Sequence, residues 1–186
     1  MIITYQGQES FKISQGDLAL VVNPIAKVSA DITLFTTGRG ETAEKSGFVI
    51  EGPGEYEIKE VFIKGFLSEG KDHLNTVYLI TFEGMKLCFL GSLSNHELSP
   101  KVFENLEDID ILFVPVGGSE VLEPAVAYKL AVSLEPSIII PMHYTKASLE
   151  QFIKEGGEKV EALDKYVVKK KDLEGKEGDI VVLKEE

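Results

Sequence analysis

The chain has 186 residues and a formal net charge of −12 at pH 7. A chain of this length can bury one well-packed core, and 44% hydrophobic with 27% charged residues is ordinary for a globular protein. The acidic balance argues against a broad nucleic-acid surface, because such surfaces use lysines and arginines to displace counterions from phosphates. We therefore expect one domain over residues 1–186 and no nucleic-acid partner.

Three absences indicate a cytoplasmic protein with no membrane partner. No apolar run approaches the twenty or so residues that a membrane-spanning helix needs. The first ten residues, "MIITYQGQES", contain neither a basic segment nor a cleavage site of a signal peptide. The chain cannot form an internal disulfide, because Cys88 is its single cysteine. Cys88 lies in the apolar run "KLCFLG" and is expected to be a buried core thiol.

Short alternating segments separated by turn residues fill the first half of the chain. Three segments within residues 1–24 are typical of a β-meander, and a further strand is predicted in 31–38. More short strands are predicted in 47–67, and 75–91 favours a hairpin that turns at Glu83-Gly84. The first half is therefore predicted to be almost entirely β.

The second half alternates helices and strands. Ser99 and Pro100 are typical of a helix start, as N-cap and first helical residue. The apolar runs "IDILFVPVGG" and "SIIIPMHY" predict buried strands. Pro141 has no N–H to donate and is expected to end its ladder, which sets His143 at the carboxyl end of an interior strand, where open α/β sheets build sites. The remaining predictions are helices over 123–136 and 146–157, a lysine-guarded edge strand in 165–171, and a last strand over 179–185.

Four segments at strand ends carry a resemblance to a known family. They are "GPGEYEI", "CFLGSLSN", "DILFVPVGG" and "IIIPMHY", and their order resembles the metallo-β-lactamase superfamily. The nearest part is the small branch with the ascorbate-phosphate lactonase type and many metal-dependent hydrolases. The resemblance implies an α/β (α+β) fold, an αββα four-layer sandwich of two mixed β-sheets with a site where the sheets meet. Family members hold one or two metal ions, usually zinc or manganese, which activate a bound water.

The first metal-binding run of the family has a different sequence here. After the strand "ADITLF", the resemblance places Thr37 and Arg39 where the first two histidines stand in the family. Glu41 falls at the aspartate of that run and Thr42 at its third histidine. Only the Glu41 carboxylate is a ready metal ligand, and Arg39 would bring positive charge into a cation site.

The later family positions are only partly kept. Ser92 stands where the family has an aspartate, whereas His143 is kept within its motif. His73 is expected to be a solvated loop histidine, and His96 to lie in a capping loop. If a metal binds, the ligands would be His143, Glu41 and His96. Because hydrolytic zinc sites use about three protein ligands plus water, we expect no metal, and we expect His143 to bond to backbone or to a hydroxyl such as that of Ser92.

Two functional hypotheses follow, with catalytic residues unknown in both. The leading one is a metallo-β-lactamase-fold protein with an eroded metal site, in which His143, Ser92, Thr37, Arg39, Glu41 and Thr42 form a vestigial cleft. Such a protein would be non-catalytic, with a role in binding a small polar ligand in the cleft or in assembly with another copy of itself. The alternative is a zinc- or manganese-dependent hydrolase of a phosphorylated sugar, lactone or phosphodiester that uses a remodelled site around His143. A third, structural interpretation is that the N-terminal meander forms an oligomer interface and the chain has no ligand or substrate.

Overall fold

Two mixed β-sheets pack face to face, and α-helices cover one of them. The computed structural model describes residues 1–38, 47–157 and 159–186. The strands are β1 Ile2–Tyr5, β2 Phe11–Gln15, β3 Leu18–Val22, β4 Ile32–Leu34, β5 Phe48–Ile50, β6 Gly54–Ile58, β7 Val61–Gly70, β8 His73–Phe82, β9 Met85–Phe89, β10 Ile111–Pro115, β11 Ile138–Met142, β12 Tyr166–Val167 and β13 Asp179–Ile180. The helices are α1 Pro100–Asn105, α2 Pro124–Ser133 and α3 Lys146–Gly156, and a 3₁₀ helix spans Lys170–Leu173.

The six-stranded sheet has the order β12-β1-β2-β3-β4-β5. Strands β1 to β3 form the predicted antiparallel meander, and β3, β4 and β5 run parallel. The lysine-rich segment contributes the edge strand β12, as predicted, where Val167 pairs with Ile2. Residues Ile3, Phe11 and Ile13 alternate with more exposed neighbours and face the other sheet.

The seven-stranded sheet has the order β13-β11-β10-β9-β8-β7-β6. Strands β13, β11, β10 and β9 are parallel, and the remaining pairs are antiparallel. The predicted hairpin turn between β8 and β9 is confirmed, since Glu83 and Gly84 both have positive φ, 53° and 72°. Two successive residues of this kind suit the twist of a two-residue hairpin.

Aromatic rings fill the space between the sheets. Phe89 and Phe113 stack with centroids 3.8 Å apart, and Phe11 of the opposite sheet meets Phe113 edge-on at 4.8 Å. A second apolar cluster lies under the helices, where Phe152 of α3 is fully buried. Cys88 belongs to that cluster, so the prediction of a buried thiol is confirmed.

The helix termini follow their sequence signals. Ser99 caps α1, accepting a hydrogen bond from the Val102 N–H at 3.4 Å, and Pro100 is the first helical residue. Gly157 caps the carboxyl end of helix α3, and its φ of 71° suits glycine. None of the described helices is long and apolar enough to cross a lipid bilayer.

Two predictions about strand ends were wrong. Pro141 does not end the ladder, because β11 continues to Met142 and Pro141 pairs with Val114. The Ile139 carbonyl accepts from the Val181 N–H, one residue after β13, and the Met142 carbonyl accepts from the Val116 N–H, one residue after β10. The Pro141 nitrogen is therefore directed beyond the end of short β13, where no N–H is required.

The last strand is shorter than predicted because residues 179–185 serve both sheets. Only Asp179–Ile180 pairs with β11. Farther on, Leu183 forms a bridge with Leu163, and Glu185 forms one with Tyr5 of the six-stranded sheet. The segment therefore joins the sheets at one edge rather than extending one of them.

Gly91, just after β9, allows three segments to meet beside the strand ends. Its φ of +63° lies in the left-handed region. A Cβ there would press against Asn75 Oδ1 and would lie 2.7 Å from Thr36 Cβ. Both neighbours are fully or almost fully buried, so neither has open space to move into.

We expect Gly91→Ala to lower the free energy of unfolding by roughly 3 kcal/mol or more, since backbone strain of about 1–2 kcal/mol adds to overpacking of a similar size. Gly84→Ala is the matched control, because Gly84 has a φ of +72° but no atom within 4 Å of the added Cβ. Its loss should be limited to the backbone cost. Urea denaturation of both variants measures the difference, and equal losses would contradict the steric argument.

Candidate functional site

Seven segments surround one cavity at an end of the sandwich. They are the β1–β2 turn, the β7–β8 turn, and the residues that follow β3, β4, β9, β10 and β11. The cavity has a volume of about 470 Å³. Its lining includes Glu9, Thr37, His73, Ser92 and His143. Residues far apart in the sequence thus share one pocket because consecutive strands end at the same edge.

The Glu9 carboxylate is the centre of the polar contacts in this pocket. Its Oε1 atom lies 2.7 Å from His143 Nδ1 and accepts a hydrogen bond from the Ser92 hydroxyl at 2.6 Å. The Glu9 side chain is 13% exposed and that of His143 is 32% exposed. Both contacts have the short lengths of charge-assisted hydrogen bonds. We refer to Glu9, His143 and Ser92 as the carboxylate set.

The backbone around Gln8 fixes the geometry of the set. The His143 N–H donates to the Gln8 carbonyl at 2.6 Å, and the Tyr5 hydroxyl donates to the same oxygen at 2.9 Å. His143 has a φ of 48° and Gln8 a φ of 52°, conformations that few residues other than glycine adopt. A Cβ on Gly117 would lie 3.0 Å from His143 Cδ2, so the missing side chain leaves room for the imidazole ring.

Asn75, which is fully buried, holds the third member of the set in place. Its Nδ2 donates to the Leu90 carbonyl and to Ser68 Oγ, each at 2.8 Å. Its Oδ1 accepts from the Ser92 N–H at 3.0 Å. The amide therefore ties the end of β9 to the β7–β8 hairpin and fixes the backbone that carries the Ser92 hydroxyl.

The two charged partners shift each other's pKa in opposite directions. Burial alone would raise the pKa of Glu9, but the hydrogen bonds from His143 and Ser92 outweigh burial and lower it. The hydrogen bond to Glu9 raises the pKa of His143 against the opposing effect of burial, and the charge of nearby Glu120 adds to the rise. The carboxylate–imidazolium state is therefore favoured at mildly acidic pH.

Three of the predicted cleft residues are brought together by the fold. Thr37, Ser92 and His143 all line the cavity, whereas Arg39, Glu41 and Thr42 lie outside the described residues. The expected bond from the His143 side chain to backbone or to a hydroxyl was wrong, because its partner is the Glu9 carboxylate and the Ser92 hydroxyl bonds to the same oxygen.

Sequence reasoning missed Glu9. It lies in the polar turn "QGQES" of the meander, where an acidic residue is ordinary. Glu9 is 134 residues from His143 in the sequence. Only the closing of the two sheets brings the turn to the end of β11, and no local pattern reports that contact.

Of the two other histidines, His73 lines the cavity and His96 does not. His73 is the first residue of β8 and lines the cavity, so its description as a solvated loop residue was wrong. Its Nδ1 lies 2.5 Å from the Lys71 carbonyl, and its buried Nε2 has no hydrogen-bond partner in the described part of the chain. His96 is exposed and lies away from the cavity lining, so it is not placed to share a ligand with His143.

The described side chains do not fit a hydrolytic zinc site. Within residues 1–38, 47–157 and 159–186, no three His, Cys, Asp or Glu side chains converge closely enough to hold a metal ion. Two tetrahedral zinc ligands at about 2.0–2.1 Å from the metal lie roughly 3.3 Å apart. The 2.7 Å separation of His143 Nδ1 and Glu9 Oε1 is instead that of a hydrogen bond.

Two packed mixed sheets with helices and a cavity at the strand ends define a metallo-β-lactamase fold. A family model described as the beta-lactamase superfamily domain matches residues 2–143. The chain therefore belongs to the beta-lactamase superfamily domain family, in agreement with the resemblance at its strand ends.

Individual relatives agree with this assignment. A crystal structure of a proposed Zn-dependent hydrolase of the metallo-β-lactamase superfamily from Thermotoga maritima is 30% identical, with a TM-score of 0.82 over 98% of this chain and 97% of that one. A UPF0173 protein of Pyrococcus furiosus is 30% identical over 111 residues, 57% of this chain and 50% of its own length. A UPF0173 metal-dependent hydrolase of Thermococcus onnurineus is 29% identical over 52% of this chain and 46% of its own. The chain spans about half the length of the curated relatives it matches.

The pKa shifts predict how the carboxylate set stabilises the fold as pH changes. The lowered pKa of Glu9 gives stability above about pH 4.3, which is lost as pH falls through the folded-state pKa. The raised pKa of His143 gives stability below about pH 6.5, which is lost as pH rises through the folded-state pKa. Glu9→Gln should therefore lower the free energy of unfolding most near pH 5–6, by about 1–3 kcal/mol. Urea denaturation at about pH 3.5, 5.5 and 8.5 measures this, and a pH-independent difference would contradict it.

Proposed function

We propose that the protein binds a small polar ligand in the cavity around the carboxylate set and does not perform metal-dependent hydrolysis. The observation that carries this proposal is the position of Ser92. Where the family resemblance places a metal-binding aspartate, a serine hydroxyl donates a hydrogen bond to Glu9, and Glu9 in turn bonds to His143. The polar groups satisfy one another instead of presenting convergent lone pairs to a cation.

The size and lining of the cavity support ligand binding. A volume of about 470 Å³ is within the range of small-molecule sites, about 300–1,000 Å³. Polar side chains such as Asn23 and Thr37 share the lining with apolar ones such as Phe35 and Val121. A few fixed polar groups among apolar ones give a ligand both orientation and buried area. Assembly with another copy and a cytoplasmic location stay predictions.

A metal-dependent hydrolase is the second candidate, favoured by the names of the relatives. The Thermotoga maritima structure is described as a proposed Zn-dependent hydrolase and the Thermococcus onnurineus relative as a metal-dependent hydrolase. In such an enzyme, His143 would have to bind zinc or manganese together with Glu41, which lies outside the described residues. A phosphorylated sugar, a lactone or a phosphodiester would then be the substrate.

Metal content separates the two candidates. In protein purified without chelator, we expect well under 0.1 equivalent of zinc, manganese or iron, because the described side chains do not supply the three ligands that a hydrolytic site needs. Elemental analysis of the full chain measures this. A near-stoichiometric amount of any of these metals that is lost in His143→Ala would reject the proposal in favour of the hydrolase.

Filling the cavity tests the binding role. Thr37 is half-buried in the lining, so Thr37→Phe should occupy the ligand volume. Thr81→Phe is the matched control, because Thr81 is also half-buried but pairs with Phe62 away from the cavity. In a thermal-shift screen of sugars, amino acids, nucleosides and small carboxylates, binding compounds should raise the Tm of wild type and Thr81→Phe by roughly 5–11 °C at 100-fold excess over Kd. The same compounds should leave Thr37→Phe unchanged, and equal shifts in all three proteins would contradict binding in this cavity.

A further inference from the structure

We propose that Glu9 and His143 form a metal-independent catalytic dyad, in which His143 Nε2 activates water to hydrolyse an uncharged carboxylic ester held in the cavity. This inference rests on the proposed binding function of the same cavity. It goes further because it assigns a reaction to residues that have so far been given only a structural and binding role.

The tautomer of His143 follows from its partner. An ionised carboxylate only accepts hydrogen bonds, so the Nδ1 atom that lies 2.7 Å from Glu9 Oε1 carries the hydrogen. In the neutral imidazole, Nε2 then has a free lone pair. Within the described residues Nε2 has no hydrogen-bond partner, and the ring lines the cavity with 32% of its side chain exposed. This is the arrangement of a general base oriented by a carboxylate.

The imidazole is held in place before any substrate binds. The His143 N–H is bonded to the Gln8 carbonyl at 2.6 Å, and the absence of a side chain on Gly117 leaves space for the ring. The Ser92 hydroxyl fixes the same Oε1 atom at 2.6 Å, so the carboxylate cannot rotate freely away from the ring. Prior positioning of this kind is what allows one general base to contribute about 10²–10⁴ in rate.

The reaction balances with water as the only co-reactant. A water O–H transfers its proton to His143 Nε2 while the water oxygen forms a bond to the ester carbonyl carbon. The tetrahedral intermediate then breaks its bond to the leaving alcohol oxygen, which takes the proton from Nε2. A carboxylic acid and an alcohol result, the imidazole returns to its neutral form, and Glu9 stays ionised and stabilises the transient imidazolium. Ser92 is not the nucleophile, because its hydroxyl hydrogen is directed to Glu9.

The charge on the set favours an ester over a phosphodiester. Attack on an uncharged ester places one developing negative charge on a carbonyl oxygen. Attack on a phosphodiester adds charge to a group that is already anionic and would approach the ionised Glu9, so it requires cations in the site. The described lining contains Lys71, but its Nζ is paired with Glu120 at 3.0 Å.

The test uses the full chain after chelator treatment, with p-nitrophenyl acetate as the probe at about pH 8. His143→Asn removes Nε2 while keeping a residue that tolerates the left-handed backbone and an amide at the position of Nδ1. We expect its kcat to fall about 100-fold or more. His96→Asn is the matched control, because it removes an exposed histidine away from the cavity lining, and its kcat should stay within twofold of wild type.

Glu9→Gln tests the positioning role of the carboxylate. We expect kcat to fall about 10- to 100-fold with KM within twofold of wild type, because the amide no longer stabilises the imidazolium whereas the cavity keeps its shape. Glu55→Gln, on the exposed edge strand β6, is the control and should match wild type. A purely structural role of Glu9 would instead change the fraction of folded protein, which far-UV circular dichroism and urea denaturation of each variant report.

Each contrary result has a distinct meaning. Equal kcat in wild type and His143→Asn would overturn the dyad. Should His143→Asn fail to fold, an unchanged kcat in folded Glu9→Gln would overturn it as well. Absence of hydrolysis in wild type, with the ligand-induced thermal shift intact, would reject the dyad and leave the binding function standing. Activity that appears only after zinc is added would reject both.

Discussion

The buried carboxylate of Glu9 is the constraint on which the site depends. A buried charge is costly unless it is paired. The turn between β1 and β2 is therefore stable in this position because His143 and Ser92 contact the Glu9 carboxylate. These partners are 134 and 83 residues away in the sequence. The polar site is therefore complete only when the two sheets have closed on their aromatic core, which makes the packing of Phe11 against Phe113 a condition for the pocket.

Those parts of the fold that depend on local chemistry were predictable. The pair Glu83-Gly84 predicted the hairpin turn, and Ser99 with Pro100 predicted the start of α1, because each signal acts within a few residues. Pro141 was misjudged for the opposite reason. Whether a strand tolerates proline depends on which neighbour its nitrogen faces and where that neighbour stops, and β13 stops at Ile180.

The same distinction applies to the candidate site. His143 was predictable because a histidine directly after a buried parallel strand lies at the edge where such sheets place their ligands. Its partner Glu9 was not, since their contact exists only in three dimensions. His73 was misjudged because the β7–β8 hairpin is longer than its sequence pattern indicated, so that pairing of Gly70 with His73 turns a supposed loop residue into part of a strand.

An internal ion pair can have the same electrostatic role that a cation has in a metal site. A metal offsets the charge of the carboxylates that surround it. Here the charges of Glu9 and protonated His143 offset each other. The Ser92 hydroxyl donates a hydrogen bond to the same Oε1 atom and adds no negative charge. Serine at position 92 and glutamate at position 9 are thus complementary. An aspartate at position 92 would place a second carboxylate beside Glu9 and a single imidazole, and without a cation the two carboxylates would repel each other. In the described site, the charge of the Glu9 carboxylate is therefore compensated by side chains of the protein, His143 and Ser92.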